Sequence, residues 1–220
     1  CGLANPWIEH SSLTWPYHMF DAGMINNYAY SGASNDTITM RLVRHAIQKN
    51  IVLIMFTYPE RLHIIRKGYN FVVTHNGIHS ISDNGDENWV AKQIAKSDVD
   101  RHKKYLLENY DDAFLEINFL RNILSCQNFC ESNGLEYYFT IVSMRPKIEM
   151  RGSLEKYRDS IYNSINWKNI FLVEGKYGFD EYAEKIKASK ANDNSHWGEQ
   201  YHKVFGKLFI STPVFNISFL

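Results

Sequence analysis

The chain of 220 residues predicts an α/β protein, a three-layer α/β/α sandwich built around a mainly parallel sheet. Three observations carry this. Ile51-Val-Leu-Ile-Met-Phe56 is an unbroken apolar run with β-branched residues, the pattern of a strand covered on both faces. The segment before it, Asn35 to Asn50, is amphipathic at the helical period. After it, strand-like and helix-like patterns alternate to the last helix, as successive βαβ units require. A composition that is 45% apolar and 15% aromatic supplies one well-buried core but not two, so residues 1–220 are expected to form a single domain.

In chain order, Leu13-Thr-Trp-Pro-Tyr-His-Met-Phe20 starts a short helix with Pro16 in its first turn, and Asp21-Ala-Gly23 ends it. A strand at about Met24 to Tyr30 then turns sharply through Gly32. Gly32 can take φ > 0 and lets a ligand approach the backbone, while Ser34 or Asn35 can cap the following helix and leave N–H groups for an oxyanion. In that helix Ile38, Leu42, Val43, Ala46 and Ile47 form the apolar stripe, with Arg41, Arg44, His45, Gln48 and Lys49 largely opposite. The strand at 51–56 ends in Thr57-Tyr-Pro-Glu-Arg61, which puts polar residues at the carboxyl edge of the sheet, where such sheets bind ligands.

Residues 62 to 90 read as an insertion, with Tyr69–His75 and Ile78–Ser82 forming a β-hairpin around Asn76-Gly77. From about Val90 to Cys130 the pattern is helical. Leu106, Tyr110, Ala113, Ile117, Leu120 and Leu124 recur at the spacing of a buried face, and Asn133-Gly134 stops the helix. Leu135–Ser143 is the next strand, Ser153 to about Ile165 a helix, and Asn169–Val173 another strand. Glu174-Gly-Lys-Tyr-Gly178 is a loop, followed by a charged helical stretch to about Lys190. The last helix begins near Trp197 and packs through Tyr201, Val204, Phe205 and Leu208.

Charge and cysteine usage narrow the partners. Lys plus Arg (24) balances Asp plus Glu (24), so no net field draws the protein to nucleic acid or to an anionic membrane. No apolar run approaches the ~20 residues of a membrane span, nothing resembles a signal peptide, and the chain reads as soluble. Three cysteines do not make a disulfide framework. Cys126 and Cys130 read as buried thiols on one helix face, and a zinc site there lacks two further ligands nearby. Asp83-Asn-Gly-Asp-Glu87 lacks the spacing of a calcium loop. No metal or other cofactor is expected.

The second stretch with chemical potential is Asp193-Asn-Ser-His196, on the loop leading into the last helix. A carboxylate three residues before a histidine can accept its Nδ1–H, fix the tautomer and leave Nε2 as a general base for a hydroxyl nucleophile.

Together these blocks resemble the SGNH or GDSL hydrolases, especially the compact SGNH-like proteins encoded by phages. Gly2-Leu3, Thr14-Trp-Pro-Tyr17, Asn27-Tyr-Ala-Tyr-Ser-Gly-Ala-Ser-Asn-Asp36 and Phe56-Thr-Tyr-Pro-Glu-Arg61 look like the phage-type blocks, and Asp193 and His196 match the closing Asp-x-x-His. The resemblance covers most of the chain and implies a flavodoxin-like SGNH fold. It also implies a serine ester hydrolase, with removal of O-acetyl groups from carbohydrate as the activity class. His196 would be the base, Asp193 its orienting acid, and Gly32 and Asn35 oxyanion donors. Thr57, Tyr58 and Arg61 would meet the small ester or acetylated glycan.

The chain departs from that pattern twice. The nucleophile serine of the Gly-Asp-Ser or Gly-Cys-Ser turn is not in the sequence, and Cys1-Gly2-Leu3 reads as the loop that follows it. A first strand and its serine are therefore expected upstream of Cys1. In place of the family's Gly-x-Asn-Asp stands Phe56-Thr-Tyr-Pro59, which removes the usual asparagine donor and leaves Asn35, Thr57 or Arg61 to substitute. If no serine exists, the alternative is a catalytically silent module of the same fold that binds glycan or forms part of a virion or homo-oligomer, with Trp7, Trp15 and Tyr58 as contacts.

Overall fold

The computed structural model describes residues 15–19, 26, 28, 33–46, 51–66, 69–74, 77–81, 104, 108, 111–143, 148–192 and 196–212. A 3-10 helix at Trp15–His18 comes first, then α1 (Asn35–His45) and β1 (Ile51–Phe56). Next are β2 (Leu62–Arg66), β3 (Tyr69–Thr74), β4 (Gly77–Ile81), α2 (Asp112–Ser132), β5 (Glu136–Ile141) and α3 (Ser153–Ser164). A 3-10 turn at Trp167–Asn169 leads into β6 (Ile170–Phe171), and α4 (Phe179–Lys185) and α5 (Glu199–Ile210) follow.

The apolar run at 51–56 forms a strand because it is covered on both faces. β1, β5 and β6 make a parallel sheet in the order β1-β5-β6, with Ile51 opposite Glu136, Phe56 opposite Ile141, and Thr140 opposite Phe171. Side chains alternate across it. Val52, Ile54 and Phe56 with Tyr137, Phe139 and Ile141 pack on one side against Leu42 of α1, Ile117, Leu120 and Ile123 of α2, and Ile161 of α3. Leu53, Met55, Tyr138, Val142 and Phe171 pack on the other against Trp15, Phe179 and Ala183 of α4, and Tyr201, Phe205 and Phe209 of α5. The chain is thus of the α/β class.

Helix ends follow the local chemistry. Ser34, not Asn35, is the N-cap of α1, its Oγ accepting from the Thr37 N–H at 3.2 Å. Asp111 caps α2 through the Phe114 N–H at 2.8 Å. Asn133 and Gly134 end α2, with Gly134 at φ 64°, a left-handed conformation that glycine adopts without a Cβ penalty. A polar seam joins α1 to α2. Asn122 donates to Asp36 Oδ1 at 3.0 Å and accepts from Thr39 Oγ1 at 2.8 Å.

Several expectations need correction. The α1 helix ends at His45 rather than running to 50, and Val43 is 55% exposed because it stands one residue, or about 100°, round from buried Leu42. On α5 the buried line is Tyr201, Phe205 and Phe209 at i, i+4 and i+8, which leaves Val204 exposed. The charged stretch before Lys190 is helical only over Phe179–Lys185. Where one hairpin was expected, β2, β3 and β4 form a three-stranded antiparallel sheet, with Leu62 opposite Val73 and Thr74 opposite Gly77. Gly77, expected in the turn, is already a strand residue. Of the expected strand at 24–30 only residues 26 and 28 are described, neither in a strand; the Gly32 turn, most of the helical pattern before residue 111 and the acidic stretch at 83–87 lie outside the described residues.

Candidate functional site at the carboxyl edge of the parallel sheet

Polar residues of the chain meet where β1 and β5 end. Asn35 is buried, and its side-chain amide pairs with the backbone of Thr57 as a neighbouring strand would. Oδ1 accepts the Thr57 N–H at 2.8 Å, and Nδ2 donates to the Thr57 carbonyl at 3.2 Å. The start of α1 is thereby fixed to the exit of β1. Both ends of the Asn35 amide are engaged there, which braces α1 on the exit of β1.

From this anchor the chain runs to Tyr58, whose hydroxyl donates to Asp180 Oδ2. The other oxygen of the same carboxylate, Oδ1, accepts the indole N–H of Trp197 at 2.8 Å. The Asp180 backbone N–H donates to the carbonyl of Val142, just past β5, at 2.8 Å. Asp180 therefore joins the exit of β1, the exit of β5 and the approach to α5. It can reach β5 because of Gly178. A Cβ there would stand 2.8 Å from the carbonyl oxygens of Ile141 and Val142, closer than side-chain carbons approach. Glu181 latches the same junction by accepting from the Gly178 N–H at 2.7 Å and from Ser143 Oγ at 3.1 Å.

Electrostatics follow from this burial. The Tyr58 phenol is held well above its ordinary range, chiefly by burial and then by the Asp180 carboxylate that it hydrogen-bonds. Tyr58 therefore donates its proton rather than losing it. Arg61 lies 5.7 Å from the centroid of the Tyr58 ring, and burial pulls its pKa below the usual arginine value. That guanidinium is the cationic group at the β1 exit.

His196 is half-buried at the end of a loop whose base is clamped. Ala191 N–H donates to the His196 carbonyl at 2.7 Å, Gly198 N–H donates to the Ser189 carbonyl at 2.9 Å, and Lys190 and Trp197 form an antiparallel bridge. Gly198 has little room for a side chain, since a Cβ would come within 3.3 Å of the Ser189 and Lys190 carbonyl oxygens. The Lys190 ammonium covers the Trp197 ring at 3.1 Å from its centroid. One turn into α5, His202 is buried and accepts the Trp15 backbone N–H on Nδ1 at 3.3 Å. Burial foremost, with His18 acting in the same direction, pushes its pKa down to about 3, so this imidazole is neutral.

Of the residues expected to act, Thr57, Tyr58 and Arg61 lie together on the β1 exit. Through Asp180 they are linked to Trp197, the residue after His196. Asn35 stands at the same exit, whereas Gly32 and Asp193 lie outside the described residues. Trp15 is 1% exposed, packed under α5 with Phe209 at 5.2 Å, and so is not available as a glycan contact. Gly206 permits that packing, because a Cβ there would stand 2.8 Å from the Trp15 carbonyl oxygen.

Asp180 has no motif around it in the sequence. Only the fold brings it to Tyr58, 122 positions away. Among the described residues, no group of three or more His, Cys, Asp or Glu side chains is arranged to hold a metal ion. Nor is any helix among them long and apolar enough to cross a membrane. Comparison with family models, with curated proteins and with solved structures finds no match to this chain.

Proposed function

We propose that the protein is a serine ester hydrolase of the SGNH type, acting on small esters or on O-acetyl groups of carbohydrate. The observation that carries this reading is the junction at the carboxyl edge. The polar exit of β1 and the loop ending in His196 are tied there by one carboxylate, in the position where open α/β sheets do chemistry. The arrangement of helices supports it as well. α1, α2 and α3 share one face and α4 and α5 the other, as expected if β1, β5 and β6 are the third, fourth and fifth strands of the flavodoxin-like three-layer fold. Residues 62–90, with their separate antiparallel sheet, are then a decoration of that fold.

In this reading a serine hydroxyl attacks the ester carbonyl while His196 Nε2 takes its proton. His196 returns the proton to the departing alcohol, and water then releases the acyl group by the same path. Asp193 orients the imidazole, and the Gly32 N–H donates to the oxyanion. Arg61 and the Thr57-Tyr58 backbone border the acyl or sugar side.

Covalent labelling tests this. A fluorophosphonate reacts with an activated serine by forming a P–O bond and expelling fluoride. Natively sourced protein should take up one equivalent on a single serine, and His196→Ala should lose most of that labelling. Labelling no greater than that of heat-denatured protein would reject the esterase and leave a binding or structural module of the same fold.

A further inference from the structure

We propose that Asp180 is a positioning residue for His196, setting the loop that carries the imidazole against the exit of β1. Its relevance to catalysis rests on the esterase reading, but the positioning itself does not. Three observations converge on it. The carboxylate is divided between two donors from distant parts of the chain, Tyr58 on Oδ2 and the Trp197 indole on Oδ1. The backbone of the same residue is bonded to Val142, just past β5, which fixes the point from which the carboxylate hangs. Trp197 is the residue bonded to His196 and lies in the two-stranded base of its loop, opposite Lys190.

The direction of the chemistry is consistent throughout. Indole and phenol can each donate one hydrogen bond, and an ionised carboxylate can only accept. Hydrogen bonds to an ionised acceptor are shorter and stronger than neutral ones. Trp197 is 8% exposed and Tyr58 only partly exposed, so water competes weakly for these donors. Without Asp180, the indole N–H loses its acceptor and the 190–197 loop loses its tie to the β1 exit. The ordinary reading of Asp180 is a first-turn acidic residue that favours a helix N-terminus. That role would need neither Tyr58 nor Trp197.

Amide hydrogen exchange followed by NMR, on the full chain, separates the two. The readout is the exchange rate of Ala191 and Gly198, whose N–H groups close the loop base, relative to Phe139 in the central strand β5. Asp180→Ala and Trp197→Phe should each raise that ratio by about tenfold or more through local opening. Asp180→Asn keeps an acceptor oxygen for the indole and should restore the ratio to within about threefold of wild type. An unchanged ratio in Asp180→Ala and Trp197→Phe would overturn the proposal. So would an Asp180→Asn variant as loose as Asp180→Ala. If Asp180→Ala does not fold, Trp197→Phe decides alone, because it leaves the carboxylate and its Tyr58 bond in place. No substrate enters the experiment, so a loosened loop in a protein without esterase activity would uphold the positioning role and defeat only the esterase.

Discussion

His202 couples the residue scale to pH. Its imidazole is buried neutral, with Nδ1 accepting from Trp15, and its folded pKa is about 3 against 6.5 for the ordinary side chain. Below 6.5 the unfolded chain binds a proton that the folded chain refuses, so this group's stabilising contribution is complete above that pH and is lost on acidification toward about 3. The slope from one such proton is about 1.4 kcal/mol per pH unit. Urea unfolding between pH 4.5 and 7.5 should therefore show a shallower pH dependence for His202→Asn, which keeps an acceptor but does not titrate. Identical slopes for the two proteins would contradict the account. Cys126 and Cys130 offer a second check at this scale, since burial pushes both thiols up to about 12. Iodoacetamide at pH 8 should leave both unmodified in native protein and modify both in denaturant, as read by peptide mass mapping. The burial of these thiols was legible in the sequence because i, i+4 spacing puts both on one face of a strongly helical segment. The neutral state of His202 was not, because the packing of the Trp15 segment and of Phe179 against α5 creates its environment.

At the scale of elements, the joints between strands and helices carry the geometry. Asn35→Ala removes both bonds to buried Thr57, which should cost roughly 1 to 3 kcal/mol in chemical denaturation. Gly178→Ala should cost about 1 to 3 kcal/mol, because its Cβ must displace backbone at the end of β5. A loss below about 0.5 kcal/mol at either position would mean that the joint is looser than described. The elements themselves were largely legible. Ile51–Phe56 announced a doubly covered strand, Ser34 and Asn35 bracketed the cap of α1, and Asn133-Gly134 marked the end of α2. What failed was finer. The insertion expected at 62–90 carries no assigned element at Leu62–Arg66, and pairing with β3 makes that segment a strand. Val43 and Val204 were assigned inward on hydrophobicity, but α1 and α5 each bury a stripe too narrow to include them.

For the whole molecule, we propose that the exit of β1 and the His196 loop form one catalytic edge. The placement of Thr57-Tyr-Pro-Glu-Arg61 after β1 and of His196 just before the last helix could be read in advance, because polar residues after a buried strand fall at the carboxyl edge of a parallel sheet. Asp180, which joins them, could not, since a long-range hydrogen bond leaves no local pattern. The most direct test is hydrolysis of p-nitrophenyl acetate by natively sourced protein, compared with its His196→Ala and Asp193→Asn variants and a buffer blank. Wild-type turnover should be measurable, with a loss on the order of 10⁴ in kcat for His196→Ala and a smaller loss for Asp193→Asn because the imidazole remains. Wild-type turnover no faster than His196→Ala would contradict the proposal.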